Sequence, residues 1–76
     1  MKLQEFINNF AEQFDDLDVS GLTPETKFRD LDGWNSLVAL SVIAMIDEEY
    51  DVTVTGDDIR KSTTIEDLFN AVKERM

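Results

Sequence analysis

Ser36 is the residue around which chemistry can be built. It stands in Asp32-Gly33-Trp34-Asn35-Ser36-Leu37, where a turn signalled by Asp32-Gly33 runs into a long apolar stretch. A hydroxyl at the start of a helix lies beside unpaired backbone N–H groups and the positive end of the helix dipole. That setting suits an anion, so a phosphodiester attached to Ser36 would be well accommodated at the loop edge. Capping alone also accounts for these residues, with Ser36 as the N-cap, or with Asn35 as the N-cap and Ser36 as the first helical residue. Other chemistry is poorly supplied. The chain has no His and no Cys. This removes the commonest general base, the serine–histidine triad, the thiolate nucleophile and any disulfide. The acids have no base or nucleophile arranged around them, so an enzyme is not expected and no residue is assigned a catalytic role. Asp30-Leu31-Asp32-Gly33 hints at a calcium loop, which needs Gly at its sixth position and an acid at its twelfth. Counted from Asp30, those places hold Asn35 and Ser41, so no metal site is expected.

The elements that must position Ser36 can be read from periodicity. Leu3, Phe6, Ile7, Phe10 and Phe14 share one helical face among polar neighbours, which predicts an amphipathic helix stopping near Asp15–Asp18. Residues 19–35 form a long connection. Thr23-Pro24-Glu25 reads as a single capped turn, and Phe28 and Leu31 are expected to pin the segment to the core. A second helix is expected from Ser36 to Tyr50, apolar almost all round until Asp47. A chain of 76 residues cannot enclose such a helix, so some of Leu37, Val38, Ala39 and Met45 should meet solvent, a ligand or another protein. Tyr50, Val52 and Val54 alternate with polar residues, yet no second strand is available, so this is read as an extended crossing segment. Gly56 to Lys61 should form one short helical turn with Ile59 facing inward. Thr63-Thr64-Ile65-Glu66 has the form of a capping box, followed by a last helix with Ile65, Leu68, Phe69, Val72 and Met76 on one face. The expected fold is all-α: three main helices and a short one in a single domain spanning 1–76, with a long loop between the first and second.

Seventeen acids against seven bases give a net charge of −10. Phosphates of nucleic acid and anionic membrane surfaces would be repelled. Basic protein partners would be attracted over distance, although solubility alone also explains the excess. Between Arg29 and Arg60 there is no Lys or Arg, while Asp30, Asp32, Asp47, Glu48, Glu49, Asp51, Asp57 and Asp58 fall in that interval. The N-terminus lacks the apolar core of a signal peptide, and no apolar stretch has membrane-spanning length. A cytoplasmic monomer without membrane insertion is the expectation.

Asn35-Ser36-Leu37 resembles the Asp-Ser-Leu signature of acyl carrier proteins. The likeness runs from Thr26 to Val72. It includes the acidic and aromatic close of the second helix, Asp47-Glu48-Glu49-Tyr50, the Val52-Thr53-Val54 crossing, and Thr63-Thr64-Ile65-Glu66-Asp67-Leu68 at the start of the last helix. The resemblance implies that a phosphopantetheinyl transferase, using coenzyme A and Mg²⁺, attaches 4′-phosphopantetheine to Ser36. The arm would hold acyl, aminoacyl or polyketide groups as thioesters for enzymes of fatty-acid, polyketide or related lipid biosynthesis. It further implies docking of basic patches on partner enzymes by Asn35, Leu37, Val38, Ser41, Met45, Asp47 and Glu48. Asn35 stands where the family usually has Asp, and Ser41 where it often has Glu. With Trp34, these departures look similar to specialised carriers rather than the housekeeping one, although Trp34 reads equally as a loop residue packed over the first helix. The competing reading is an acidic helical interaction module never modified at Ser36.

Overall fold

The computed structural model describes residues 2–14, 21–31 and 33–76. Among the described residues four α-helices follow in order: α1 (Leu3–Ala11), α2 (Ser36–Tyr50), α3 (Gly56–Lys61) and α4 (Ile65–Glu74), with a 3₁₀ turn, η1 (Phe28–Asp30), in the long connection. The expected all-helical bundle is therefore present. α1 packs on α2 and α4, and α3 bridges α2 and α4.

The apolar stripes predicted from periodicity form one shared core. Phe6, Ile7 and Phe10 of α1 meet Val42 and Ile46 of α2 and Ile65, Leu68, Phe69 and Val72 of α4. The Phe6 ring meets Phe69 edge-on at 5.6 Å. Ile59 faces inward, and Val52 and Val54 are buried on the extended segment that crosses from α2 to α3. Alternation there marks a buried edge, as expected of a crossing segment.

Several boundaries differ from the sequence reading. The acids that should stop the first helix lie outside the described residues, but the α-helix itself closes at Ala11. Its hydrogen bonds tighten beyond that point, with Gln13 N–H donating to the Phe10 carbonyl and Phe14 N–H to the Ala11 carbonyl, both at 3.1 Å. Phe14 stays buried in this tighter turn. The capping box of α4 is Thr64 with Asp67, one residue later than Thr63 with Glu66. The register shifts because the Asp67 carboxylate accepts from both Thr63 N–H, at 3.0 Å, and Thr64 N–H, at 3.1 Å. Met76 lies beyond the end of α4 and is 63% exposed, so it does not extend the α4 stripe. A second box, Thr55 with Asp58, opens α3.

The long connection is fastened at several points, which explains how it can hold a site. Thr23-Pro24-Glu25 forms a turn without a helix, closed by Thr26 N–H on the Thr23 carbonyl at 3.1 Å. The carbonyls of Thr26 and Pro24 accept the Ile65 and Glu66 N–H groups at 3.1 and 2.9 Å. They thereby satisfy donors that the first turn of α4 leaves unpaired. Phe28 is fully buried and Leu31 packs against the core. Arg29 donates to the Arg60 carbonyl at the end of α3, at 3.0 Å.

Candidate functional site

Ser36 is exposed and is the first residue of α2. Of the two capping arrangements open in the sequence, the structure adopts the second. Asn35 is the N-cap, its backbone extended and its Oδ1 accepting the Val38 N–H at 2.9 Å. The Asn35 carbonyl accepts the Ala39 N–H at 3.0 Å, closing the first helical turn. The cap is thus supplied by the neighbour, and the Ser36 hydroxyl does not serve as it. The Ser36 and Leu37 N–H groups occupy the helix positions that have no intrahelical acceptor, at the positive end of the dipole.

The loop leading to Ser36 is built on aromatic rings. Trp34 lies nearly parallel to Phe10, with centroids 6.3 Å apart and planes 8° apart. It meets Phe28 edge-on at 5.1 Å and Phe14 at 6.2 Å. This is the packing over the first helix that a loop tryptophan would be expected to make. Gly33 adopts a φ of +90°, a conformation that suits glycine, and Trp34 N–H donates to the Leu31 carbonyl at 3.2 Å. Asp32, the other half of the expected turn, lies outside the described residues.

The remaining residues singled out in the sequence divide into two groups. Leu37 is 73% exposed, and Asp47 and Glu48 are exposed on the same helix. Val38, Ala39 and Ser41 are half-buried. Met45 is mostly buried and shows only an edge to the groove beside α2. It is only 6% exposed, because its place beside Val42 and Ile46 turns it to the packed side of α2. Leu40 is the residue that sequence reasoning misses. It is 63% exposed and, one turn from Leu37, extends the open apolar stripe towards Ala44. A groove of about 240 Å³ runs beside this stripe between α2 and the end of α1, lined by Glu12, Gln13, Ser41, Ala44, Met45, Glu48 and Glu49.

Among the described residues, two of the acids between Arg29 and Arg60 have structural partners. Asp57 pairs with Arg60, and Asp58 is held by Arg75. The Arg75 guanidinium and the Thr55 N–H hold the Asp58 carboxyl well below the usual carboxylate range. By contrast, Asp47, Glu48 and Glu49 crowd the last turn of α2, where no basic residue stands. Among the described residues no cluster of acids is arranged to hold a metal ion, and no helix is long and apolar enough to cross a membrane.

Comparison with known proteins agrees with this geometry. The family described as a phosphopantetheine attachment site matches residues 4–72. An acyl carrier protein of Desulforapulum autotrophicum is 26% identical over 65 residues, covering 86% of this chain and 84% of that protein. An acyl carrier protein of Exiguobacterium is 27% identical over 59 residues, covering 78% and 75%. No solved structure gives a significant match. The cofactor of this family is a covalently attached 4′-phosphopantetheine. The site suits such a group, because an exposed hydroxyl stands at a helix start whose cap is already provided by Asn35. An exposed serine relieved of capping, a helical bundle that holds it out, and a match over nearly the whole length together establish that the chain belongs to the phosphopantetheine-attachment family, as an acyl carrier protein.

Proposed function

We propose that Ser36 is the attachment residue, and that the chain carries acyl groups to successive enzymes of fatty-acid, polyketide or related lipid biosynthesis without catalysing a reaction itself. One observation carries this reading: Ser36 is exposed as the first residue of α2 while Asn35 makes the cap. In the attachment step the Ser36 oxygen loses its proton and bonds to the phosphorus of coenzyme A nearest the pantetheine. The anhydride bond breaks and adenosine bisphosphate leaves. When bound, the arm supplies a thiol that holds the acyl group as a thioester and, by tethering it, raises its local concentration. The chain's own part is to hold the oxygen outward and to offer a phosphodiester the open N–H groups of Ser36 and Leu37.

The surface around the arm supports docking of basic partner enzymes, a phosphopantetheinyl transferase first. Asn35 before α2 and Leu37, Asp47 and Glu48 on it are exposed, Leu40 belongs with them, and the half-buried Val38 and Ser41 and the groove-lining Met45 flank them. Asp47, Glu48, Glu49 and Asp51 sit at the negative end of the α2 dipole, where carboxylates weaken a helix. A partner's positive charge accounts for an arrangement that folding alone disfavours. Asn35 and Ser41, in place of the acids usual there, fit a specialised carrier.

Incubation with coenzyme A, Mg²⁺ and a promiscuous transferase tests this reading. Intact mass should rise by one phosphopantetheinyl group, and Ser36→Ala should abolish the gain. An unchanged mass, with a known carrier modified alongside, refutes it.

A further inference from the structure

We infer that Trp34 is the positioning residue of the attachment site, its indole fixing where the Ser36 oxygen stands when a transferase meets it. This rests on the reading of Ser36 as the attached serine. Between Ser36 and Ser41 one side chain of α2, the half-buried Val38, packs against the core. From Ser36 to Ser41 none is fully buried, and the first that is, Val42, lies nearly two turns on. Ser36, Leu37 and Leu40 are exposed outright. Further restraint comes from the preceding side.

Trp34 supplies it. Its ring is gathered among Phe10, Phe14 and Phe28, with centroids 5.1 to 6.3 Å away. Phe10 belongs to α1, Phe14 to the turn after it and Phe28 to η1, and both Phe10 and Phe28 are fully buried. These neighbours are fixed points of the core. Only Asn35 separates Trp34 from Ser36, so the serine is at most about 7 Å of backbone from this anchor. The loop behind the ring is also set, by the Trp34 N–H bond to Leu31 and the positive φ of Gly33. Loss of the indole leaves the Asn35 cap on a loop held by its backbone bond to Leu31, without the ring's seat in the core. The Ser36 oxygen then samples positions off the line of attack, a loss of orientation that slows chemistry more than docking.

Transfer kinetics and amide exchange test this on the intact chain. Trp34→Ala, Trp34→Phe and Val72→Ala are compared with the parent at a temperature where circular dichroism shows all to be folded. Val72 is buried in α4, so its truncation destabilises the core away from the site. Trp34→Ala should lower kcat/KM for phosphopantetheinyl transfer about tenfold or more, chiefly in kcat. Trp34→Phe should restore part of the loss, and Val72→Ala should leave the rate unchanged. The amides of Val38 and Ala39, which donate to Asn35, should exchange faster in Trp34→Ala than in the parent, while those of α4 keep their protection. A folded Trp34→Ala that is modified at the parental rate overturns the inference. So does an equal slowing in Val72→Ala, which would mean stability alone sets the rate. If the parent chain takes no arm, the attachment reading falls by itself. Unchanged exchange at Val38 and Ala39 in Trp34→Ala would then separately refute the anchoring role, with Trp34→Phe serving where Trp34→Ala does not fold.

Discussion

Arg75 grips Asp58 with two hydrogen bonds: Nη1 donates to Oδ2 at 2.6 Å and Nη2 to Oδ1 at 2.7 Å. Nη1 also donates to the Thr53 carbonyl at 3.1 Å. One guanidinium thereby joins the residue after α4 to the crossing segment and to the first turn of α3. Asp58 also accepts the Thr55 N–H at 2.8 Å within the capping box. At the other end of α3, Arg29 donates to the Arg60 carbonyl. The shortest helix of the bundle is fastened at both ends by arginines from other elements.

This contact predicts a pH-dependent penalty for Asp58→Asn. Hydrogen bonds from Arg75 and Thr55 lower the Asp58 value from its ordinary 3.8. The stabilisation is fully present above the unfolded value and is lost as pH falls through the lower, folded one. Asp58→Asn should therefore melt below the parent at neutral pH, and the gap should shrink steadily as pH drops below about 4. The parent curve alone does not isolate this, because acid also relieves the self-repulsion of a chain with net charge −10. The difference between the two thermal unfolding curves does. A gap independent of pH would remove the carboxylate from the explanation.

The cap at Asn35 gives a second test. Asn35→Ala removes the acceptor for Val38 N–H and should lower stability by about 1 kcal/mol. Asn35→Asp keeps an acceptor and places a negative charge at the positive end of the dipole. It should match the parent or exceed it by about 0.5 kcal/mol. Urea unfolding of the three proteins reads both effects. If Asn35→Ala is as stable as the parent, the cap bond is not formed in solution.

Much of this architecture was legible because the helices state themselves in period and punctuation. The α1 stripe, the limits of α2 and α3 and the inward Ile59 follow from apolar spacing and local caps. What was hidden depends on contacts between distant residues. Thr63 and Thr64 are each followed three residues later by an acid, so sequence alone presents two capping registers. The choice falls to Asp67, which can take both threonine N–H groups, and to loop carbonyls more than thirty residues earlier. The apolar character of α2 on all sides conceals which face is open. Leu40 turns outward and Met45 inward only once α1 is packed. Asp58 looks like another surface acid until Arg75 arrives from the far end of the chain. The serine was legible for the opposite reason: its setting is local, a turn, a cap and a helix start within five residues.

The end of α2 carries a removable strain. Asp51 closes the helix with φ 55° and ψ 40°, its N–H donating to the Asp47 carbonyl. A side chain in this left-handed conformation is disfavoured, and a carboxylate at the negative end of the dipole adds to the penalty. Asp51→Gly removes both, offset in part by greater freedom of the unfolded chain. A net gain of about 0.5 kcal/mol is expected, seen as a higher midpoint in urea. A loss of stability would mean that the Asp51 side chain makes a compensating contact.

The acids at the same helix end should reveal a trade between folding and recognition. Asp47 and Glu48 face solvent beyond the exposed Leu37–Leu40 stripe, with no base in the last turn of α2. Neutralising them as Asp47→Asn with Glu48→Gln relieves dipole repulsion and should raise stability by about 0.5 kcal/mol. If these carboxylates meet basic partners, the same double variant should associate with a phosphopantetheinyl transferase on the order of tenfold more slowly at low salt. The deficit should fade as ionic strength rises, because screening removes the long-range attraction that the parent alone enjoys. Stopped-flow association across a salt series reads this directly. Slower binding that persists at high salt would point to a lost short-range contact. Unchanged binding at every salt concentration, together with the stability gain, would leave these acids without a role in docking.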